Sequence, residues 1–187
     1  MKKIAQKIYK WVNRKHNPDY FWKVRSRALN NNSVFRLIYK FKYYRLVRLN
    51  GASIPLKAKF TECPDFPHGM NGIFISSGAQ IGKGCTIFHQ VTIGSNTLRD
   101  SKNHGAPIVG DNVYIGAGAK IIGGVKVGNN VRIGANCVVT QDNPENSTVV
   151  LPAPVVILHS GSRENKFVPW NEYLEGENPK VNLKVIL

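Results

Sequence analysis

From residue 75 onward a branched aliphatic residue returns at every sixth position: Ile75, Ile81, Ile87, Ile93, then Val109, Ile115, Ile121, Val127, Ile133 and Val139. Four positions after these stand small or compact residues: Ala79, Cys85, Val91, Val113, Ala119, Val125, Val131 and Cys137. Glycine often follows the aliphatic directly, as at Gly82, Gly94, Gly110, Gly116, Gly128 and Gly134. A period of six is even, so in extended chain positions i and i+4 share one face, whereas a helical repeat loses this phase. The pattern therefore predicts short strands separated by corners, with glycine relieving backbone strain at each corner. No single turn of such a chain can close a core, so successive coils must stack into a solenoid. Between Ile93 and Val109 the register is kept only if ten residues are inserted, and the insertion falls within residues 95–107.

The first fifty residues follow a different rhythm. Residues 2–15 read as a helix with Ile4, Ile8, Trp11 and Val12 on one face, and Pro18 is expected to end it. A second helix is predicted from Ser33 as N-cap, with Val34, Leu37, Ile38, Phe41 and Tyr44 at helical spacing. The chain is thus divided into an arm (1–50), a repeat domain (51–157) and a tail (158–187).

Charge sharpens that division. The whole chain carries a formal +15, and residues 1–50 hold fourteen Lys and Arg against one acid, Asp19. The remainder is close to neutral, so the basic character belongs to the arm. Three uses of it are open: packing on the end of the solenoid with solvated lysines, attraction to an anionic membrane surface, or nucleic-acid binding. No nucleic-acid reading motif accompanies the charge, and nucleic acid is not expected as a partner.

Cysteine narrows the setting. Cys63, Cys85 and Cys137 are odd in number and lack C-x-x-C spacing, so neither a disulfide framework nor a zinc site is signalled. No apolar run reaches membrane-spanning length and the lysine-rich start lacks a signal-peptide core, so a cytoplasmic protein is expected, peripheral on the inner membrane face if the arm binds lipid.

The register GIFISSGAQIGKGCTIFHQVTIG, followed by PIVGDNVYIGAGAKIIGGVKVGNNVRIGANCVVTQDNPENSTVV, resembles the hexapeptide-repeat acyltransferases. Within them it is similar to the serine-acetyltransferase branch, which also includes acetyltransferases of capsule and exopolysaccharide assembly. The resemblance implies a mainly β chain folded as a left-handed parallel β-helix with a short helical arm. It also implies homotrimers with active sites between subunits, and acetyl-CoA as co-substrate held along that intersubunit groove. By the same resemblance, Ala117, Gly118, Lys120, Ala135 and Thr140 are candidates to contact the coenzyme, and Arg99 and His104 of the inserted loop are candidates to meet the acceptor. In similar serine enzymes that loop carries arginine-histidine-proline, whereas here Ala106 precedes Pro107 and His104 lies two residues earlier.

Acetyl transfer from a thioester to an alcohol needs a base at the hydroxyl, and imidazole suits the task at neutral pH. His68 is the first candidate base, with Asp65 or Glu62 to orient it; His89, inside the repeat, is the second-choice histidine. The histidine spacing matches no metal set, and no metal is expected. The short basic arm favours a sugar hydroxyl of cell-surface polysaccharide synthesis as acceptor. Serine is the alternative enzyme reading, and a non-catalytic trimeric scaffold or binding module is the alternative of another class.

Overall fold

The computed structural model describes residues 18–30, 34–163, 165 and 167–169. These fall into two units, one running to Pro152 and one starting at Ala153; residues 153–163 of the second carry no helix or strand. The helix expected over residues 2–15 lies outside the described residues, as does Ser33.

Two helices open the first unit, α1 (Pro18–Leu29) and α2 (Arg36–Leu49). Twelve short strands follow: β1 (Lys59–Phe60), β2 (Phe74–Ile75), β3 (Gln80–Ile81), β4 (Thr86–Ile87), β5 (Thr92–Gly94), β6 (Ile108–Val109), β7 (Tyr114–Ile115), β8 (Lys120–Ile122), β9 (Lys126–Val127), β10 (Arg132–Ile133), β11 (Val138–Val139) and β12 (Thr148–Val149). Each strand pairs in parallel with the strand one coil away, giving three four-stranded sheets ordered β1-β3-β6-β9, β12-β10-β7-β4 and β11-β8-β5-β2. The chain is a left-handed parallel β-helix of triangular section.

The six-residue phase explains this. Ile75 pairs with Ile93, Ile93 with Ile121 and Ile121 with Val139, so each aliphatic meets its counterpart one coil on. All ten aliphatic positions are at most 3 % exposed, and the eight compact positions four residues later at most 1 %. Burying one such side chain contributes about 1.5–3 kcal/mol, so the stacked columns supply most of the core. The ten-residue insertion leaves at the corner after β5 without shifting the pairing of β5 with β8.

Glycine serves a different end from the one expected. The glycines directly after the aliphatics do not have positive φ. At Gly116 a Cβ would lie 2.7 Å from the Ala135 nitrogen, so it is the close approach of neighbouring coils that excludes a side chain. Left-handed backbone falls three residues after the aliphatic instead, at Gly84, Gln90, Asn112, Gly118, Asn130 and Asn136. Asparagine tolerates that region. Its amides also link coils: Asn112 Nδ2 donates to Asn130 Oδ1 and Asn130 Nδ2 to Asn146 Oδ1, both at 2.9 Å.

The arm also departs from expectation. Pro18 starts a helix, which fits proline at a first helical position followed by Asp19 in the first turn. From α1, Phe21, Val24 and Ala28 enter the same core as the first coils. Arg25 Nη2 donates to the carbonyls of Ala58 at 2.7 Å and Leu56 at 3.2 Å, pinning the helix to the coil. In α2 the buried side chains are Tyr43 and Val47, and the stripe Leu37, Ile38, Phe41 and Tyr44 faces outward. Tyr43 decides this orientation: its ring stacks on Phe21 and its hydroxyl donates to the Ile54 carbonyl at 2.6 Å.

Candidate active site

The first coil carries His68 on a turn fixed from inside. Asp65 bridges to Thr86 in the β4 sheet, Phe66 then dives into the core, and Met70 is buried again four residues on. The Phe66 ring stacks on Trp22 of α1, with centroids 5.7 Å apart and planes at 16°. Gly69, at φ 69°, lets the chain reverse directly after His68. Asn71 Nδ2 donates to the His68 carbonyl at 3.0 Å. Helix α1 thus buttresses the turn that presents an exposed imidazole.

His89 lies one coil away in the same register: it stands as far beyond His68 as Thr86 stands beyond its bridge partner Asp65. The two Nδ1 atoms are 3.0 Å apart. Phe88 packs its ring against His68 at 5.2 Å and 88°, and against Tyr114 at 5.1 Å. Between two Nδ1 atoms one proton is shared, so one ring donates and the other accepts. When His68 is the donor, its Nε2 is bare and able to take a proton, and His89 faces the cation that results.

The same column continues as Ala117 and Ala135 in the next two coils. Gly118 N–H donates to the His89 carbonyl at 3.0 Å and Asn136 N–H to the Ala117 carbonyl at 2.9 Å, which locks the corner. Among the described residues, the N–H groups of Ala117 and Ala135 have no acceptor. Two methyl side chains and two free donors therefore lie in line beneath the histidines. Lys120 Nζ donates to the carbonyls of Gln90 and Gly118, each at 2.8 Å, so its ammonium clasps this corner.

The carboxylates expected to orient His68 are elsewhere. Glu62 Oε2 accepts from the Gly84 N–H at 3.2 Å, at a different corner. Asp65 sits on the flat of its sheet, before the Phe66-Pro67 bend, and its carboxylate has no hydrogen bond or ion pair among the described residues. The hydrogen-bond partner of the His68 ring is an imidazole. Sequence reasoning named both histidines but not their pairing, nor Phe88, Tyr114 and Asn71.

Arg99, His104 and Thr140 lie at another corner. The inserted loop is closed by paired hydrogen bonds between Asn96 and Gly105, both at 2.8 Å, and tied down by Asn103, whose amide donates to the Thr140 carbonyl. Arg99 and His104 are exposed there. The chain by itself therefore does not bring the loop to the histidine pair. Among the described residues no group of three or more His, Cys, Asp or Glu could hold a metal, and no helix is long and apolar enough to cross a membrane. Cys63 is exposed while Cys85 and Cys137 are buried, and all three are free. Burial pushes the thiols of Cys63 and Cys85 upward, away from the reactive thiolate.

Comparison with known proteins decides the family. Residues 106–141 match the bacterial transferase hexapeptide (six repeats) model. A serine acetyltransferase of Staphylococcus epidermidis is 36% identical over 147 residues, covering 74% of this chain and 68% of the relative. The chain belongs to the serine acetyltransferase family. A Staphylococcus aureus serine acetyltransferase is 43% identical over 99 residues, 53% of this chain and 45% of the relative. Among solved structures, soybean serine acetyltransferase complexed with serine matches with a TM-score of 0.56 and 31% identity, over 71% of this chain and 54% of that one. The chain thus spans about half the length of the curated serine acetyltransferases matched first. A sugar acceptor finds no support among these relatives.

Proposed function

We propose that this protein is an acetyl-CoA-dependent O-acetyltransferase with serine as acceptor and His68 as general base. One observation carries the reading beyond kinship: the His68–His89 pair stands at the head of a column that continues as Ala117 and Ala135, with unused N–H donors. A base at the head of a column of small residues suits a thioester arm lying along the prism.

In the proposed reaction the Nε2 of His68 removes the serine hydroxyl proton as the oxygen attacks the thioester carbonyl. His68 Nδ1–H donates to His89 throughout and shares the positive charge that develops. Main-chain N–H groups such as that of Ala117 stabilise the oxyanion. Collapse expels the coenzyme A thiolate, which takes the proton back from His68 Nε2, leaving O-acetylserine and the free thiol. A base contributes roughly 10²–10⁴ in rate, and an oxyanion donor about 10²–10³. Direct transfer fits the raised cysteine thiols, which make poor nucleophiles at neutral pH.

A homotrimer is part of the reading. The loop with Arg99 and His104 and the column with His68 occupy different edges of one prism, and a second copy is what can place one beside the other. Sedimentation equilibrium should then give three times the 20.8 kDa chain mass.

A sugar hydroxyl is the second reading, and the loop favours it, because arginine-histidine-proline of similar serine enzymes is replaced here by His104-Gly105-Ala106-Pro107. Thiol release from acetyl-CoA, followed with serine and with nucleotide-linked and lipid-linked sugars, separates the two. Release with serine supports the first reading and release with sugars alone the second. Failure to bind acetyl-CoA returns the chain to a non-catalytic scaffold.

A further inference from the structure

Helix α2 has two faces with different environments. Tyr43 and Val47 face the prism and are buried, and the Tyr43 hydroxyl is tied to the Ile54 carbonyl, so the helix cannot roll. Across from them, Leu37, Ile38, Phe41 and Tyr44 are 50–77 % exposed. At 100° per residue Arg45 and Arg48 fall in the same outward arc. The fourteen residues of α2 include five cations and no acid. A groove of about 770 Å³ beside this face is lined by Phe41, Tyr44, Val47, Ile54 and Phe74 together with Arg45 and Arg48.

An exposed apolar stripe on a soluble surface marks a binding site. Charge selects the occupant. A second copy docked about a twofold axis would set the same arginines and lysines against themselves, and a heterologous contact would meet residues 51–187, whose 12 Lys and Arg against 10 acids offer these cations no net attraction. The segment of residues 1–17, with Lys2, Lys3, Lys7, Lys10, Arg14 and Lys15, meets the same repulsion. A bilayer bearing anionic headgroups satisfies both components at once, taking the aromatic and aliphatic side chains at the acyl boundary and the guanidinium groups at the phosphates.

We infer that the outward face of α2 docks the protein on anionic phospholipid, with Leu37, Ile38, Phe41 and Tyr44 inserted and Arg45 and Arg48 on the phosphates. This surface is distinct from the histidine pair and holds whichever acceptor is used. The full chain should co-float with phosphatidylcholine vesicles containing phosphatidylglycerol and stay behind with phosphatidylcholine alone. Leu37→Glu with Phe41→Glu should lower vesicle partitioning by at least about tenfold, because it removes apolar insertion and adds repulsion. Arg45→Glu with Arg48→Glu should abolish the preference for the anionic lipid. All four positions are exposed, and circular dichroism checks that both variants keep the wild-type fold. Three results overturn the inference: no flotation of the wild type on anionic vesicles; equal flotation of wild type and both folded variants, which assigns binding to another segment; or lipid-free self-association that the Phe41→Glu change abolishes, which assigns the face to a second copy.

Discussion

His68 and His89 face each other through their Nδ1 atoms at 3.0 Å, one coil apart in the same column of the β-helix. A second imidazole stands where a carboxylate was expected, so the partner that orients the proposed base brings no formal negative charge. The consequence is testable at His89, a positioning residue. His89→Ala should lower kcat roughly 10–100-fold, the size of one hydrogen bond to a developing cation, with little change in KM. His89→Asn, whose Oδ1 can accept from His68 Nδ1–H, should recover part of that loss. A purely structural role would lower the melting temperature and leave Asn no better than Ala.

Ala117 lies one coil beyond His89 in the same column, half-buried, and its N–H has no acceptor among the described residues. Ala117→Leu should raise KM for acetyl-CoA at least about tenfold while leaving KM for the acceptor near its wild-type value. Steady-state kinetics with each substrate varied in turn checks this.

The turn holding His68 depends on Phe66, which is 1 % exposed and stacked on Trp22. Phe66→Ala should cost about 3–5 kcal/mol in urea unfolding. Activity should fall further than the folded fraction does, because the α1 buttress of the base is lost with the ring.

Much of this architecture was legible in the sequence because the six-residue phase is a direct image of the coil. Ile75 to Val139 named the core, and the phase jump between Ile93 and Val109 located the loop. The arm was less legible. Its apolar stripe at Leu37, Ile38, Phe41 and Tyr44 left open whether that face packs on the solenoid or meets another surface, and one hydrogen-bonded tyrosine on the other side, Tyr43, sets the helix orientation. Helix α1 carried its signal in Pro18 and Asp19, which read equally as the end of a preceding helix. The histidine pair was hidden by three extra residues in the first coil: only the pairing of Asp65 with Thr86 shows that His68 stands over His89. Glycine was recognised but for the wrong reason, since coil-to-coil approach at Gly116 depends on a neighbour in space rather than in sequence.

Tyr43 gives a pH signature. Burial pushes its hydroxyl well above the ordinary tyrosine range, while the unfolded chain titrates near 10. Its contribution is therefore complete below pH 10 and lost as pH rises, because the unfolded state releases the proton first. Above pH 10 the wild type should lose about 1.4 kcal/mol per pH unit more than Tyr43→Phe. Near neutrality Tyr43→Phe should be less stable by about 1–3 kcal/mol, since the Ile54 carbonyl loses its donor. Urea unfolding across the alkaline range reads both effects.

The proposed role of His68 as the base of acetyl transfer is tested by the turnover of His68→Ala. With serine and acetyl-CoA saturating and the fold verified by circular dichroism, thiol release should fall by roughly 10²–10⁴ while the affinity for acetyl-CoA is retained. A folded His68→Ala protein that releases thiol at the wild-type rate would mean that another group takes the proton.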